Sequence, residues 1–242
     1  MSENESATNT DKARRVREMF AVIAARYDLL NHLLSGNIDK RWRRLVAATV
    51  SQTLPSGAGR ILDVACGTGD LSLTIAGDGK AQVVGLDFCR PMLEIASAKS
   101  SKRGANIPFI EGDALALPFR DRSFDGVTIA FGLRNLADVK LGLIELLRVV
   151  KPGGRVAVLE FSKPKYALLR GLFRVYFTKL LPLVGGLISG SRGAYQYLPD
   201  SVSRFPDQNE LSSLMGEAGF EEVTYKNLTG GIAALHLGRR PQ

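Results

Sequence analysis

The sequence predicts an α/β fold: a mostly parallel seven-stranded sheet with helices on both faces and a C-terminal antiparallel hairpin. Three observations carry that expectation. Strand-like and helix-like runs alternate from Arg60 onward. A glycine turn, Gly67 and Gly69, follows the first strand-like run directly. The chain ends in two strand-like runs around Leu228-Thr229-Gly230-Gly231. Short β runs separated by helices form parallel sheets, because each crossover has to travel back along one face.

The elements follow in chain order. Residues 1–11 (MSENESATNTD) are polar and read as a disordered lead. In residues 12–34, Val16, Met19, Phe20, Ile23, Tyr27, Leu30, Leu33 and Leu34 recur at helical spacing, opposite a basic face. Ser35-Gly36-Asn37 stops that helix, and Asn37 suits the N-cap of a second one running through Trp42 to Val50. Residues 12–54 are therefore expected to be helices covering an active site, with residues 55–242 as the main domain after the Pro55-Ser56-Gly57 linker. Five strands are expected, at Arg60–Ala65, Gln82–Leu86, Ile107–Ile110, Gly126–Phe131 and Arg155–Phe161. Helices are expected at Asp70–Ala76, Pro91–Lys99 and Val139–Val150, with Pro91 in a first turn where its missing N–H costs nothing. Tyr166–Leu181 reads as an apolar and basic helix inside an insertion, 163–206, that would form a lid. Asp207-x-x-Glu210 is a capping box for a helix that Gly219 closes. Phe220–Asn227 and Ile232–Leu237 form the hairpin.

Composition narrows the function classes. At 242 residues, 45% hydrophobic and 23% charged, the chain is ordinary globular protein. Two cysteines and two histidines make neither a disulfide framework nor a zinc site, so no metal is expected. No G-x-S-x-G occurs, which argues against a serine hydrolase. The N-terminus has no basic and apolar secretion signal, and Leu180–Gly190 is about half a membrane span. A cytoplasmic location is expected. The net charge of +8 is uneven, with six basic and no acidic residues between Ser162 and Pro199. Such a patch suggests an anionic partner: nucleic acid, membrane headgroups or an acidic substrate.

The strongest motif is ILDVACGTGDL, residues 61–71. Its glycines let a ligand approach the backbone, and the following helix N-terminus offers unpaired N–H groups. Asp87 ends the second strand and can accept both ribose hydroxyls of an adenosine ligand. Dinucleotide enzymes and S-adenosylmethionine methyltransferases share this arrangement. Ser72 stands where the dinucleotide fingerprint needs its third glycine. Asp63, at a strand end, suits the cationic amino group of a methionine moiety, directly or through water. In Glu111-Gly112-Asp113-Ala114 an acid can accept the adenine amino group. Asp63 and Asp113 can equally cap neighbouring turns.

With these residues in place, the chain resembles the class I S-adenosylmethionine methyltransferases, which are Rossmann-like. Within them it resembles the ubiquinone/menaquinone biosynthesis C-methyltransferases, over roughly residues 15–240. YDLLNHLLSGNIDKRWRR (27–44) is similar to the family's N-terminal signature, and RVVKPGGRVAVLEFS (148–162) to its second. EGDALALPF, AFGLRN and GAYQYLPDSVSRFP are further family blocks. Leu30, Asp39, Ala130 and Gly193 depart from residues common in the family. The resemblance implies S-adenosyl-L-methionine held by Asp63, Gly67, Thr68, Gly69, Asp87, Phe88, Met92, Asp113, Ala114 and Ala130. It implies a catalytic set of Arg134, Asn135, Tyr27 and Tyr195, with Tyr197 as a further pocket tyrosine.

The implied reaction methylates a ring carbon of a polyprenyl quinol, with demethylmenaquinol as first substrate and the ubiquinone-pathway benzoquinol as second or additional. The sulfonium already makes the methyl electrophilic, so no metal is needed. The protein must align the acceptor carbon, stabilise a phenolate and accept a ring proton. Arg134 suits phenolate charge or an ordered water, and Asn135 a quinol oxygen, although a surface salt bridge would also explain Arg134. Glu160 suits either a place near substrate or a buried ion pair. Cys66, His32 and His236 read as structural. The segment 163–189 reads as a lid, with apolar residues Leu168, Leu172, Phe173 and Val175 flanked by bases that would dock on an anionic membrane surface. A core helix over the sheet edge is the plainer alternative. A nicotinamide-dependent oxidoreductase and a nucleic-acid-binding protein are more remote. No nucleic acid is expected, since the acceptor motif of nucleic-acid amino methyltransferases is missing, and a homo-oligomer is left open.

Overall fold

The structure, a computed structural model, describes residues 3–54, 59–77, 79, 81–176, 178 and 192–242. The side chains of residues 3–10, 34 and 192–196 lie outside that description. The elements run α1 (Glu3–Leu34), α2 (Ile38–Ser51), β1 (Gly59–Val64), α3 (Asp70–Ala76), β2 (Ala81–Asp87), α4 (Arg90–Lys102), β3 (Phe109–Glu111) and β4 (Phe124–Ala130). They continue α5 (Val139–Val149), β5 (Val150–Phe161), α6 (Ala167–Val175), α7 (Arg192–Arg204), α8 (Gln208–Glu217), β6 (Glu221–Leu228) and β7 (Ala233–Arg239).

The sheet has seven strands in the order β3-β2-β1-β4-β5-β7-β6. β1 to β5 pair in parallel, and β7 runs antiparallel to both β5 and β6. Side-chain alternation along the strands divides the core in two. Leu62, Val64, Val127, Ile129, Val156 and Val158 face α5 and α8, meeting Leu143, Leu146, Leu211 and Met215. Ile61, Val83, Ala157, Leu159 and Leu235 face α2 and α3, meeting Trp42, Val46, Leu71 and Ile75. Both faces are covered, which is why the parallel strands read as near-continuous apolar runs. The strand order reverses between β1 and β4, so a crevice opens at their carboxyl ends, where open α/β sheets bind ligands.

Several element edges differ from the sequence reading. The expected lead is helical from Glu3, since no glycine or proline interrupts Glu3–Leu34. Asn37 holds the N-cap position of α2 at φ 62°, without a side-chain cap bond. β3 begins two residues later than expected, past Pro108, whose carbonyl accepts from Gly85 N–H. β5 begins at Val150 rather than Arg155, because Pro152-Gly153-Gly154 is absorbed in a register shift between Phe124↔Val150 and Gly126↔Arg155. A bulge tolerates a residue without an N–H. The capping box is complete: Asp207 accepts from the Asn209 and Glu210 N–H groups, and Glu210 accepts from Asp207 N–H at 2.7 Å. Residues 177 and 179–181 of the expected Tyr166–Leu181 helix lie outside the described residues.

A helical cap sits over the carboxyl end of the sheet. Ile23 and Leu30 of α1 pack with Val202 and Leu198 of α7, with Phe173 of α6 and with Phe161 at the end of β5. None of the α6 residues is buried. Leu168 is 79% and Leu172 61% exposed, so the described part of the segment, α6, presents apolar side chains outward. No helix among the described residues is long and apolar enough to cross a membrane.

Candidate active site

The β1–α3 loop is shaped by its backbone. Ala65, Gly67 and Gly69 take positive φ of 52°, 55° and 79°. Nothing stands within 4 Å of where a Cβ on Gly67 would lie, leaving that face of the loop open to a ligand. Asp87 ties the loop to the end of β2, accepting from Gly67 N–H at 2.8 Å and from Cys89 N–H at 2.9 Å. Burial pushes the Asp87 carboxyl up, opposed by those N–H groups. At Gly69, φ 79°, a Cβ would lie 3.0 Å from Ala96 of α4 and from Phe109 of β3, so the turn's close approach to both favours glycine there.

Asp63, 1% exposed, accepts from Ser72 Oγ at 2.5 Å and from Thr128 Oγ1 at 2.9 Å. Burial outweighs both bonds and pushes it up to about 6. The serine that breaks the dinucleotide fingerprint is therefore a partner of Asp63. Asp113, at the surface, caps the turn after β3 by accepting from Leu115 N–H at 2.9 Å.

Three cavities share Tyr27 and Phe131 in their walls. The first is lined by Gly67, Asp87, Phe88, Met92, Asp113, Ala114, Ala130 and Asn135. The second holds Trp42, Phe131, Phe161, Arg134, Tyr197, Asp39 and Arg43. The third, against the end of β1, holds Asp63, Thr68, Asp70 and Arg43. Every expected cofactor residue but Gly69 thus lines the first or third cavity; Gly69 acts through backbone conformation.

Of the expected catalytic residues, Arg134 and Asn135 sit on a short 3-10 turn just past β4. Arg134 is committed to a buried ion pair rather than a surface one. Its Nη1 lies 2.7 Å from Glu160 Oε1, with the side chains 7% and 1% exposed. The same Nη1 donates to Phe131 O, and the guanidinium lies 5.4 Å from the Phe161 ring centroid. Burial pushes the Glu160 carboxyl up, and the Arg134 charge opposes that. Asn135 receives the Tyr197 hydroxyl on Oδ1 at 3.1 Å and donates to Phe131 O at 3.3 Å, linking the first two cavities. Burial raises the Tyr27 and Tyr197 hydroxyls, so both stay protonated near neutrality. The side chain of Tyr195 lies outside the described residues.

Side-chain charges fasten the cap. Asp28 accepts from Thr68 Oγ1 at 2.5 Å and from Lys99 Nζ at 2.8 Å. Lys99 also reaches Asp70. His32 lies 2.9 Å from Asp39 and 3.6 Å from Asp70, which is a structural use for that histidine. Asp39 would be raised by burial, but Ser35, Arg43 and His32 together hold it below the usual range. Arg17 pairs with Glu111, and Lys12 Nζ donates to Leu136 O at 2.5 Å. His236 is buried beside Gln208 O at 2.9 Å. Burial pushes the Cys66 thiol well up, so it packs as a neutral thiol.

Sequence reasoning missed Phe131, Trp42, Asp39 and Arg43 as cavity residues. A signal existed: Asp39, Trp42, Arg43 and Val46 fall on one helical face, and a charge on an apolar face seeks a buried partner.

Residues 8–240 match the model of the ubiE/COQ5 methyltransferase family. A demethylmenaquinone methyltransferase of Thermus thermophilus is 53% identical over 92% of this chain and all of its own length. A ubiquinone/menaquinone biosynthesis C-methyltransferase UbiE of Geotalea uraniireducens is 46% identical over 96% of this chain and 98% of its own. Among solved structures, the [4+2]-cyclase SpnF superposes with a TM-score of 0.70 at 19% identity, covering 95% of this chain and 96% of that one. That likeness speaks for the fold alone, since one fold carries many chemistries. With the family model spanning nearly the whole chain and close relatives covered end to end, the chain belongs to the ubiE/COQ5 methyltransferase family.

Proposed function

We propose that this methyltransferase transfers the methyl group of S-adenosylmethionine to a ring carbon of a polyprenyl quinol, with demethylmenaquinol as its substrate. The observation that carries the reading is an aromatic cavity, walled by Tyr27, Trp42, Phe131, Phe161 and Tyr197, that shares Tyr27 and Phe131 with the cavity at the strand ends. Aromatic walls suit a flat ring, and two tyrosine hydroxyls supply polar ends. The strand-end cavities suit the methyl donor on the chemistry of their residues. Asp87 meets the ribose, the open face above Gly67 admits a backbone contact, and Asp63, poorly solvated, gains from a nearby cation.

The bound donor supplies an electrophilic methyl; the chain supplies position and charge. The aromatic wall orients the acceptor ring and excludes water. Arg134 supports phenolate charge through a guanidinium that Glu160 fixes in place. Asn135, held by Tyr197, offers its amide to a quinol oxygen. Holding the reacting atoms in line is worth roughly 7–11 kcal/mol in favourable cases.

The test is incubation with labelled S-adenosylmethionine and reduced demethylnaphthoquinones and benzoquinones, with mass spectrometry of the product. Methylation of the naphthoquinol, dependent on reductant, is expected. Benzoquinol turnover at equal efficiency would favour the second reading, which the relative from Geotalea bears in its name. Methylation of oxidised quinone at the same rate would sink the phenolate mechanism.

A further inference from the structure

We propose that Arg43 receives the α-carboxylate of the methionine chain of S-adenosylmethionine, so that the cofactor site is completed by a residue of the N-terminal helices. This rests on the cofactor reading above. The methionine end brings one ammonium and one carboxylate, and the third cavity holds a counterpart for each. Asp63 and Asp70 are its carboxylates, and Arg43 is the cation in its wall among the described residues. Lys99, which also reaches Asp70, is tied to that carboxylate and to Asp28.

The guanidinium is placed for the task. Its side chain is only 11% exposed. Both of its ion pairs use Nη1, to Asp39 and, at 3.5 Å, to Asp70. Nη2 and Nε have no partner among the described residues, and that edge of the fork is the one a carboxylate engages in two parallel bonds. Asp39 and Asp70 act as positioning residues that keep the long side chain from reaching solvent. Arg43 also lines the aromatic cavity, so the same group lies in the walls of both the donor and the acceptor sites.

A merely structural Arg43, bracing α2 against α3, would affect all adenosine ligands alike. Calorimetry with S-adenosylmethionine, its decarboxylated analogue and 5′-methylthioadenosine separates the two roles. Wild-type protein should bind S-adenosylmethionine at least about tenfold tighter than the decarboxylated analogue, as a charged bidentate contact implies. In Arg43→Gln that preference should fall to within about twofold, with 5′-methylthioadenosine affinity unchanged; Arg43→Lys should keep an intermediate preference. Equal loss for all three ligands, a preference that survives Arg43→Gln, or a wild type that does not discriminate would each overturn the assignment. If Arg43→Gln fails to fold, the wild-type and Arg43→Lys preferences decide. Failure of wild type to bind any of the three would instead remove the cofactor reading itself.

Discussion

The two walls of the site are built differently. On the sheet side, backbone geometry holds the site: three positive-φ residues within the five of the β1–α3 turn, and a carboxylate, Asp87, that accepts from the N–H groups of Gly67 and Cys89. On the cap side, side chains hold it: Asp28, His32, Asp39 and Arg43 from the first two helices join Thr68, Asp70 and Lys99. Backbone bonds are formed with the fold and cannot be exchanged. Ion pairs can open without unfolding the sheet. The difference teaches that the sheet side of the site is preformed, while the cap side, which closes over the third cavity and the aromatic cavity alike, is assembled from residues far apart in the chain.

The largest effect should come where the walls meet. Arg134→Ala should lower turnover by about 100-fold or more, with donor affinity nearly unchanged, because its charge serves the acceptor. It should also destabilise the protein by about 3–5 kcal/mol, since Glu160 is left buried and unpaired. Arg134→Met with Glu160→Gln should recover most of the stability but not the turnover. If the double variant regains turnover, the ion pair is structural. Denaturant titration and steady-state kinetics read both outcomes.

Much of the sheet side was legible in the sequence. Gly67, Gly69 and Asp87 recur at spacings that a strand–turn–helix imposes, and Asp70–Ala76 begins and ends where expected. The ion pair of Arg134 was legible only as one of two options, because Arg134, just past β4, and Glu160, near the end of β5, meet only once those two strands pair. The aromatic box was not legible. Trp42, Phe131 and Phe161 are ordinary core residues by pattern, and their rings meet only once α2 lies across β5, with centroids 6.0 Å and 4.8 Å apart for Trp42–Phe131 and Phe131–Phe161. Bulge and turn details failed for local reasons, as at Pro152, where sequence alone suggests a break before the strand.

On the sheet side, Asp87→Ala should weaken donor binding by about 1–3 kcal/mol, roughly 5- to 150-fold, as it strands Gly67 and Cys89 N–H groups and removes the ribose acceptor. Calorimetry with S-adenosylhomocysteine measures it. Unchanged affinity in a folded variant would separate loop shape from ligand binding.

A smaller effect tests Asp63 by pH. Its folded value, about 6, stands above the ordinary aspartate value of about 3.9. The folded state therefore holds its proton more tightly. That contribution to stability is present in full below about 4 and lost as pH rises through about 6. An ammonium ligand favours the carboxylate, so donor affinity should rise about tenfold from pH 5 to 7.5. Asp63→Asn keeps both hydroxyl partners within reach and should flatten the dependence. Equal wild-type affinity at both pH values would remove Asp63 as the ammonium's partner.

The smallest effect should be on the outer surface of the cap, where α6 presents Leu168, Leu172 and Val175 to solvent beside Arg170 and Arg174. We propose that this face docks on anionic bilayers, because an exposed apolar stripe flanked by bases suits the boundary between headgroups and acyl chains. Each base near the surface adds about 1 kcal/mol, screened over about 8 Å at physiological salt. Leu168→Ser with Leu172→Ser should release protein from vesicles at any salt, whereas Arg174→Gln should weaken binding only at low salt. Both changes should slow turnover of long-tailed quinols a few-fold and spare short-tailed analogues dispersed in water, since those need no extraction from a bilayer. Neither should alter the donor affinities of the wild type, because α6 lines none of the three cavities at the strand ends. Equal slowing of both substrates would mean that α6 shapes the acceptor site instead, and wild-type vesicle binding by the leucine variants would leave the stripe without a membrane role.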